Sequence, residues 1–317
     1  MMKILFIVDK TELKYFEFNK LVTNFWLIKG FLERKNEVYI TTIPNLSLKG
    51  DVAYTKCYES FAQDENIFYK NIQLDLQIDD FDLVMFRPDP PVDIDYINAT
   101  YVFDFVTRPE VINSPTAIRD FNEKLHSVYF KEYMSENIVT SSLKDIEMFL
   151  KVHKQIVLKP LNKCFGSGVM YLYDGDPNTR TIINTMTNNE ATLIMVQEFI
   201  PEVKQGDIRV MTLGDKILPY AIKKLPTQDD FKFNTHNDDF ITASGLTKSD
   251  LDVFTPVAKK LNTMGIKMAG LDVIDGKIIE VNVTSPCYFI KEVNRLYNIH
   301  LEDEICEFLL TKNLLSL

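Results

Sequence analysis

Three oxygen-bearing side chains near the C-terminus have the spacing of a cation-binding set. In the run from Gly270 to Pro286, Asp272 precedes a turn at Asp275-Gly276, and Glu280 and Asn282 follow it. Asp-Gly between two β-rich runs is a strong hairpin signal. Residues two apart on a strand share a face, so Glu280 and Asn282 point the same way. The loop decides where Asp272 points. A two-residue turn pairs Asp272 with Ile279 and turns it away, whereas a three-residue loop, Asp275 to Lys277, sets it opposite Glu280. In the second case two carboxylates and an amide oxygen converge, which suits Mg²⁺ or Mn²⁺ bridging phosphate oxygens. An ordinary hairpin with two surface acids has the same residues, although acids left unpaired among apolar neighbours are costly.

Several cations have the placement needed to meet phosphate. Lys159 ends the apolar run Ile156-Val157-Leu158, and Gly166-Ser167-Gly168 follows closely. A small-residue loop can offer backbone N–H groups to phosphate oxygens, although no Gly-Lys-Ser/Thr makes it a Walker A loop. A turn with a snorkelling lysine reads the same way. Arg209, in Gly206-Asp207-Ile208-Arg209-Val210, lies on the strand face opposite Ile208 and Val210. Arg87 follows a buried strand, where open α/β sheets bind ligands, and could fork a carboxylate. Lys124 could face phosphate or solvent. The segment Gln197-Glu198-Phe199-Ile200 leads from a strand into Pro201; it reads as a domain junction or as a linker against which an adenine could lie.

These residues need a scaffold of three parts. Residues 3–8, 37–42 and 82–87 read as buried strands and about 17–35 as a helix, which predicts a parallel sheet with helices on its faces. Residues 44–80 read as irregular. Ser114 and Pro115 read as a helix cap and first turn. A domain boundary is expected near 122 and a second near 200. Within 123–200 the pattern predicts helix 142–152, strand 155–159, strand 169–172, helix 177–189 and strand 193–199. In 201–317 it predicts strands 207–213 and 216–224, a long polar loop over 226–247, helix 248–264, the hairpin and two closing helices. The fold class is therefore α/β, becoming α+β in the C-terminal half.

Composition removes several function classes. The 317 residues have a net charge of −10, which disfavours a nucleic-acid partner. No run approaches the roughly 20 apolar residues that cross a bilayer. The N-terminal apolar run is too short for a signal peptide, so a cytoplasmic protein acting on small molecules is expected. Cys57, Cys164, Cys287 and Cys306 form no CxxC pair, and the four histidines are scattered, so a Cys- or His-based metal site is not expected.

The order of these segments resembles bacterial glutathione synthetase nearly end to end. The carriers are FRPDPPVD, NSPTAIRDFNEKL, VLKPL, QEFIP, GDIRV and GLDVIDGKIIEVNVTSP, with the strongest similarity over about residues 80 to 286. The resemblance implies an ATP-grasp fold, with ATP as co-substrate between the second and third domains and an N-terminal domain for the peptide. It implies that Lys124 and Lys159 contact ATP phosphates, with Gly166 and Gly168 in the phosphate loop. Gln197, Glu198, Phe199 and Ile200 would line the adenine and Asp207 the ribose, with Arg209 near the reacting phosphate. Arg209 and Lys159 become the catalytic residues, Asp272, Glu280 and Asn282 the metal ligands. Arg87, Asn113, Lys232, Asn234 and Ser285 become the substrate residues. It also implies a homo-oligomer, and the joining of γ-glutamylcysteine to glycine through an acyl phosphate.

Three places depart from the family pattern. Asn162-Lys163-Cys164-Phe165 fills phosphate-loop positions that usually include glycine. The 226–247 segment is poor in glycine before Gly245, and Lys232 stands where an arginine is usual. The run from Cys287 to Glu292 is one residue longer. Two further readings follow: a ligase for another amine, or a nucleotide-binding module without turnover.

Overall fold

The structure is a computed structural model that describes residues 1–9, 20, 22–164, 166–227, 230–233, 238–286 and 288–314. Its first unit is a seven-stranded sheet ordered β3-β4-β2-β1-β6-β7, with β5 paired to β4. β1 (Lys3–Val8), β2 (Glu37–Thr42), β6 (Leu83–Phe86) and β7 (Glu110–Ile112) run parallel. The nearly unbroken apolar sequences of β1 and β6 reflect burial on both faces. Helix α1 (Thr23–Glu33) buries Phe25, Leu27, Ile28 and Phe31, so its described part matches the expected helical spacing. Asp93 caps α2 (Ile94–Val102), and Ser114 caps α3 (Pro115–Asp120) as expected.

Residues 44–80, expected to be irregular, instead form β3 (Leu46–Lys49) and a long hairpin, β4 (Val52–Gln63) and β5 (Asn66–Gln77). All of β5 except Ile67 is exposed or only partly buried, so its apolar alternation is weak, and the turn at Asp64-Glu65 contains no glycine to announce it.

The second unit is an antiparallel sheet ordered β10-β9-β11-β8. It comprises β8 (Asn137–Thr140), β9 (Gln155–Pro160), β10 (Met170–Tyr173) and β11 (Ile194–Glu198). Ile156, Leu158 and Val196 pack against α4 (Leu143–His153) and α5 (Thr179–Met186) through Ile146, Leu150 and Ile183. Strand alternation turns Val157, Lys159 and Gln197 to the opposite face.

The third unit is a sheet ordered β16-β13-β12-β17-β18. Its strands are β12 (Asp207–Leu213), β13 (Lys216–Lys224), β16 (Ile241–Ser244), β17 (Met268–Ile274) and β18 (Lys277–Asn282). Between β13 and β16 lies a short pair, β14 (Pro226–Thr227) with β15 (Asp230–Phe233), so the expected long loop carries strands. One sheet face packs Val210, Leu271, Val273, Ile278 and Val281 against α6 (Lys248–Thr263), which opens with a Thr247–Asp250 capping box. On the other, Met211, Leu213 and Met268 share a core with Phe6 and Phe31 of the first unit. The closing helices α7 (Ile290–Tyr297) and α8 (Leu301–Leu314) join that core through Val293, Leu301 and Ile305. The third sheet is thus anchored on the first, and the uncovered part of its inner face looks toward the second.

Candidate active site

The two inner faces and the loops after β6 enclose a cleft of about 770 Å³. Of the residues singled out in the sequence, Lys124, Lys159, Gly166, Gln197, Glu198, Phe199, Ile200, Asp207, Arg209, Asp272, Glu280, Asn282 and Ser285 line it.

The β17–β18 hairpin combines features of both expected registers. The turn is the two-residue one: Ile274 pairs with Lys277 across Asp275 and Gly276, both at positive φ. Yet Asp272 faces Glu280, because the ladder shifts between Val273–Ile278 and Asp272–Glu280. Ile279 is the extra residue of a β-bulge. Ile278 consequently stays in the core while Ile279 and Glu280, adjacent in sequence, both reach the cleft. Ile279 packs with Ile200, Val203, Ile274 and Phe199 as an apolar slot beside the charged floor.

The floor is a chain of ion pairs. Arg209 grips Asp272 bidentately, Nε to Oδ1 at 2.6 Å and Nη2 to Oδ2 at 2.7 Å. Lys224 bridges Asp207 at 2.8 Å and Asp272 at 3.3 Å. Lys124 pairs with Glu280 at 2.9 Å and donates to the Lys163 carbonyl at 2.6 Å. Lys159 donates to Gln197 Oε1 at 2.6 Å and to the carbonyl of the bulged Ile279 at 3.3 Å. Burial would raise Asp272, but Arg209 and Lys224 overcome it and hold the carboxylate well below its usual range. Burial pushes Lys159 down to about 8, with the Glu280 charge pulling the other way. It pushes Asp207 up, against the pull of Lys224.

The expected metal ligands fit a hard cation. Asp272 and Glu280 are register partners, and Asn282 donates Nδ2 to Asp272 Oδ2 at 3.0 Å, so the three side chains meet. Among the described residues no group of three or more His, Cys, Asp or Glu side chains could hold a metal unaided. Two carboxylates and an amide with phosphate and water completing the shell is the pattern Mg²⁺ favours.

The remaining expected residues lie elsewhere. Gly168 is set back from the cleft at positive φ, where an added Cβ would come within 3.1 Å of Pro160 Cγ. Arg87 is buried behind the wall and donates to Asn24 Oδ1 at 2.5 Å, Ser285 Oγ at 3.3 Å and the Pro286 carbonyl at 3.2 Å. Asn113 is also buried; it donates to the Met268 and Val283 carbonyls and accepts from the Lys267 and Met268 amides, pinning β7 to the third sheet. Lys232 falls in β15, and Asn234 lies outside the described residues.

Sequence reasoning missed several lining residues. Lys224 is one of two adjacent lysines, and only the Asp207–Lys224 register shows which one turns inward. Glu123 accepts from the Val283 and Thr284 amides and the Thr284 hydroxyl at 2.7, 3.1 and 3.0 Å, fixing the end of the hairpin. Lys163 and Cys164 also line the cleft, and Cys164 Sγ lies 3.5 Å from the Pro90 carbonyl. At the same edge Asp9 accepts from the Asp89 amide at 2.9 Å, and burial together with the Asp89 charge pushes Asp9 up to about 7.

Known proteins are similar to this chain along most of its length. The family model for the N-terminal domain of prokaryotic glutathione synthetase matches residues 2–119, and that for its ATP-grasp domain matches 123–298. Glutathione synthetase from Neisseria meningitidis serogroup B is 33% identical over 297 residues, covering 91% of this chain and 92% of the relative. Among solved structures, D-cycloserine synthetase DcsG superimposes with a TM-score of 0.68 at 13% identity, covering 98% of this chain and 99% of its own. D-alanyl-alanine synthetase A from Vibrio cholerae gives 0.61 at 11% identity, covering 100% of this chain and 99% of its own. These two likenesses are of overall fold, and the matching domain model identifies that fold as ATP-grasp. Two family models covering nearly the whole chain, on a cleft that gathers the motif residues, show that this protein belongs to the prokaryotic glutathione synthetase family.

Proposed function

We propose that the chain joins γ-glutamylcysteine to glycine at the expense of ATP, giving glutathione, ADP and phosphate. The observation that carries this is the convergence of Lys124, Lys159, Lys163, Arg209 and Lys224 with Asp272, Glu280 and Asn282 beside one apolar slot. The slot suits a nucleobase, and the cations suit a triphosphate. Asp272, Glu280 and Asn282 would hold Mg²⁺ or Mn²⁺, which when bound neutralises phosphate charge.

The peptide carboxylate takes the terminal phosphoryl group as an acyl phosphate, and the amine then displaces phosphate. Arg209 and Lys159, fixed by Asp272 and Gln197, supply positive charge in place before the charge on the transferring group develops. No covalent bond to the protein is required. An acyl phosphate must be kept from water. The Cys164–Pro90 contact, which joins the phosphate loop to the loop after β6, supports such a closure. Arg87 acts here by holding the Ser285-Pro286 turn against the cleft. A homo-oligomer in the cytoplasm, acting on small molecules, accompanies this reading on family grounds. Among the described residues no helix is long and apolar enough to cross a membrane.

The test is phosphate release by the purified protein, with the product identified by mass. Release must require ATP, γ-glutamylcysteine and glycine together. Release independent of γ-glutamylcysteine would sink the assignment, and a faster reaction with another amine would move the acceptor to that amine.

A further inference from the structure

Asp207, Asp272 and Glu280 each meet a lysine or an arginine on the cleft floor. Glu123, a carboxylate of the same cleft, has no such partner within ion-pair distance among the described residues. The adjacent Lys124 turns its ammonium to Glu280 and to the Lys163 carbonyl. Glu123 is nonetheless held firmly. The Val283 and Thr284 amides and the Thr284 hydroxyl all donate to one oxygen, Oε1, and the Val281 amide donates to the Glu123 carbonyl at 3.4 Å. Oε2 takes part in none of these bonds. A carboxylate drawn partly out of water with one oxygen unengaged is costly until a cation meets it.

Two observations say which cation. Among the described residues no group of three His, Cys, Asp or Glu side chains could hold a metal, so Glu123 does not join Asp272 and Glu280 in one site. Its place along the wall also lies past the metal ligands. From Ile279 onward the chain presents the apolar slot, then Glu280 and Asn282, then the residues that Glu123 holds. Ser285 and Pro286 come last, tied by Arg87 to the loop after β6. Thr284 is about 7 Å past Asn282 along an extended chain. A nucleotide with its base in the slot and its phosphates at the metal ligands therefore directs its terminal phosphoryl group toward Glu123.

We propose that Glu123 binds the ammonium group of the amine substrate through Oε2 and so sets the amine beside the acyl phosphate. This rests on the ligase reading above. An ammonium has three N–H donors and no acceptor, so it suits an oxygen whose partner oxygen is already fully used. The three donors on Oε1 fix the direction in which Oε2 points, so the carboxylate orients the amine as well as attracting it.

The experiment measures KM and kcat for glycine and for ATP with wild type, Glu123→Gln and Glu123→Ala. Mn²⁺ binding in the presence of ADP is read by electron paramagnetic resonance, and folding by circular dichroism. Glu123→Gln keeps one oxygen for the three donors and puts an NH₂ group where Oε2 was, so it carries the test if the alanine variant does not fold. It should raise KM for glycine about tenfold or more, and leave KM for ATP and Mn²⁺ affinity within about twofold of wild type. Glu123→Ala frees the hairpin end as well, so its KM for ATP should rise too. A side chain that only braces the hairpin is replaced by glutamine without loss, so a wild-type KM for glycine in Glu123→Gln overturns the proposal. Weakened Mn²⁺ binding in that variant overturns it as well, because the missing cation is then a metal. If wild type prefers another amine, that amine takes the place of glycine. If it joins no amine, the ligase reading fails first and the ammonium site goes with it.

Discussion

Two hairpins in this chain are built alike and differ in what they do. β4–β5 turns at Asp64-Glu65, with Gln63 paired to Asn66; β17–β18 turns at Asp275-Gly276, with Ile274 paired to Lys277. All four turn residues have positive φ. Both ladders contain a register shift, after Tyr58 in one and at Ile279 in the other. The first hairpin extends the edge of a sheet and leaves half the residues of its outer strand exposed, whereas the second lies between two sheets and supplies a cleft wall. The difference lies in surroundings more than in local geometry. A bulge at an exposed edge re-aims side chains into water, but one facing a second sheet puts Ile279 and Glu280 side by side in the cleft. The turns differ too. Gly276 adopts its conformation readily, whereas Glu65 sits in a disfavoured region and reaches Lys29 of α1 at 2.6 Å.

Substitutions in the two hairpins have different consequences. The largest effect is expected from Glu280→Gln, which keeps the shape of the strand and removes one ligand charge. Turnover should fall by at least about a hundredfold while the far-ultraviolet spectrum stays native. Undiminished turnover would remove Glu280 from the metal set.

Deleting Ile279 asks what the bulge contributes. Without it the strand pairs regularly, with Ile278 still opposite Val273 and Glu280 still opposite Asp272. Metal dependence should survive, while KM for ATP rises about tenfold through loss of the apolar wall and of the carbonyl that Lys159 uses. Loss of metal dependence would mean that the bulge, and not the register alone, holds the ligands.

The smallest effects belong to the turns. Gly276→Ala, at φ +71 with open space for a Cβ, should cost about 1 kcal/mol in denaturant unfolding from backbone strain alone. Glu65→Gly should raise the melting temperature modestly and leave turnover unchanged. A fall in both would make the Lys29 contact more important than the strain it accompanies.

Legibility in the sequence followed burial. β1, β6, β12, β13 and the described part of α1 are continuous or periodic apolar segments, and their expected positions agree with the structure within a few residues. The charged floor of the cleft was equally legible, because Lys159, Arg209, Asp272 and Glu280 interrupt apolar strands where an unpaired charge is costly. The β3–β5 region was not, since an edge strand half in water has no strong alternation and a turn without glycine has no signal. Lys224 and Glu123 were missed because each acts through a partner distant in sequence: Asp207 across a sheet ladder, and the amides of residues 283 and 284, some 160 positions along the chain.

The sequence by itself determined which side chains are available, which strands are buried and that β17 turns into β18 at Asp275-Gly276. It left open whether the loop has two residues or three, and with that whether Asp272 meets Glu280. The tertiary structure decided that point. One extra residue had to go somewhere, and the core on one face, with Lys159 holding the Ile279 carbonyl on the other, accommodates it as a bulge. Local propensity sets turns, but register is settled by whichever arrangement buries the apolar face and satisfies the polar one.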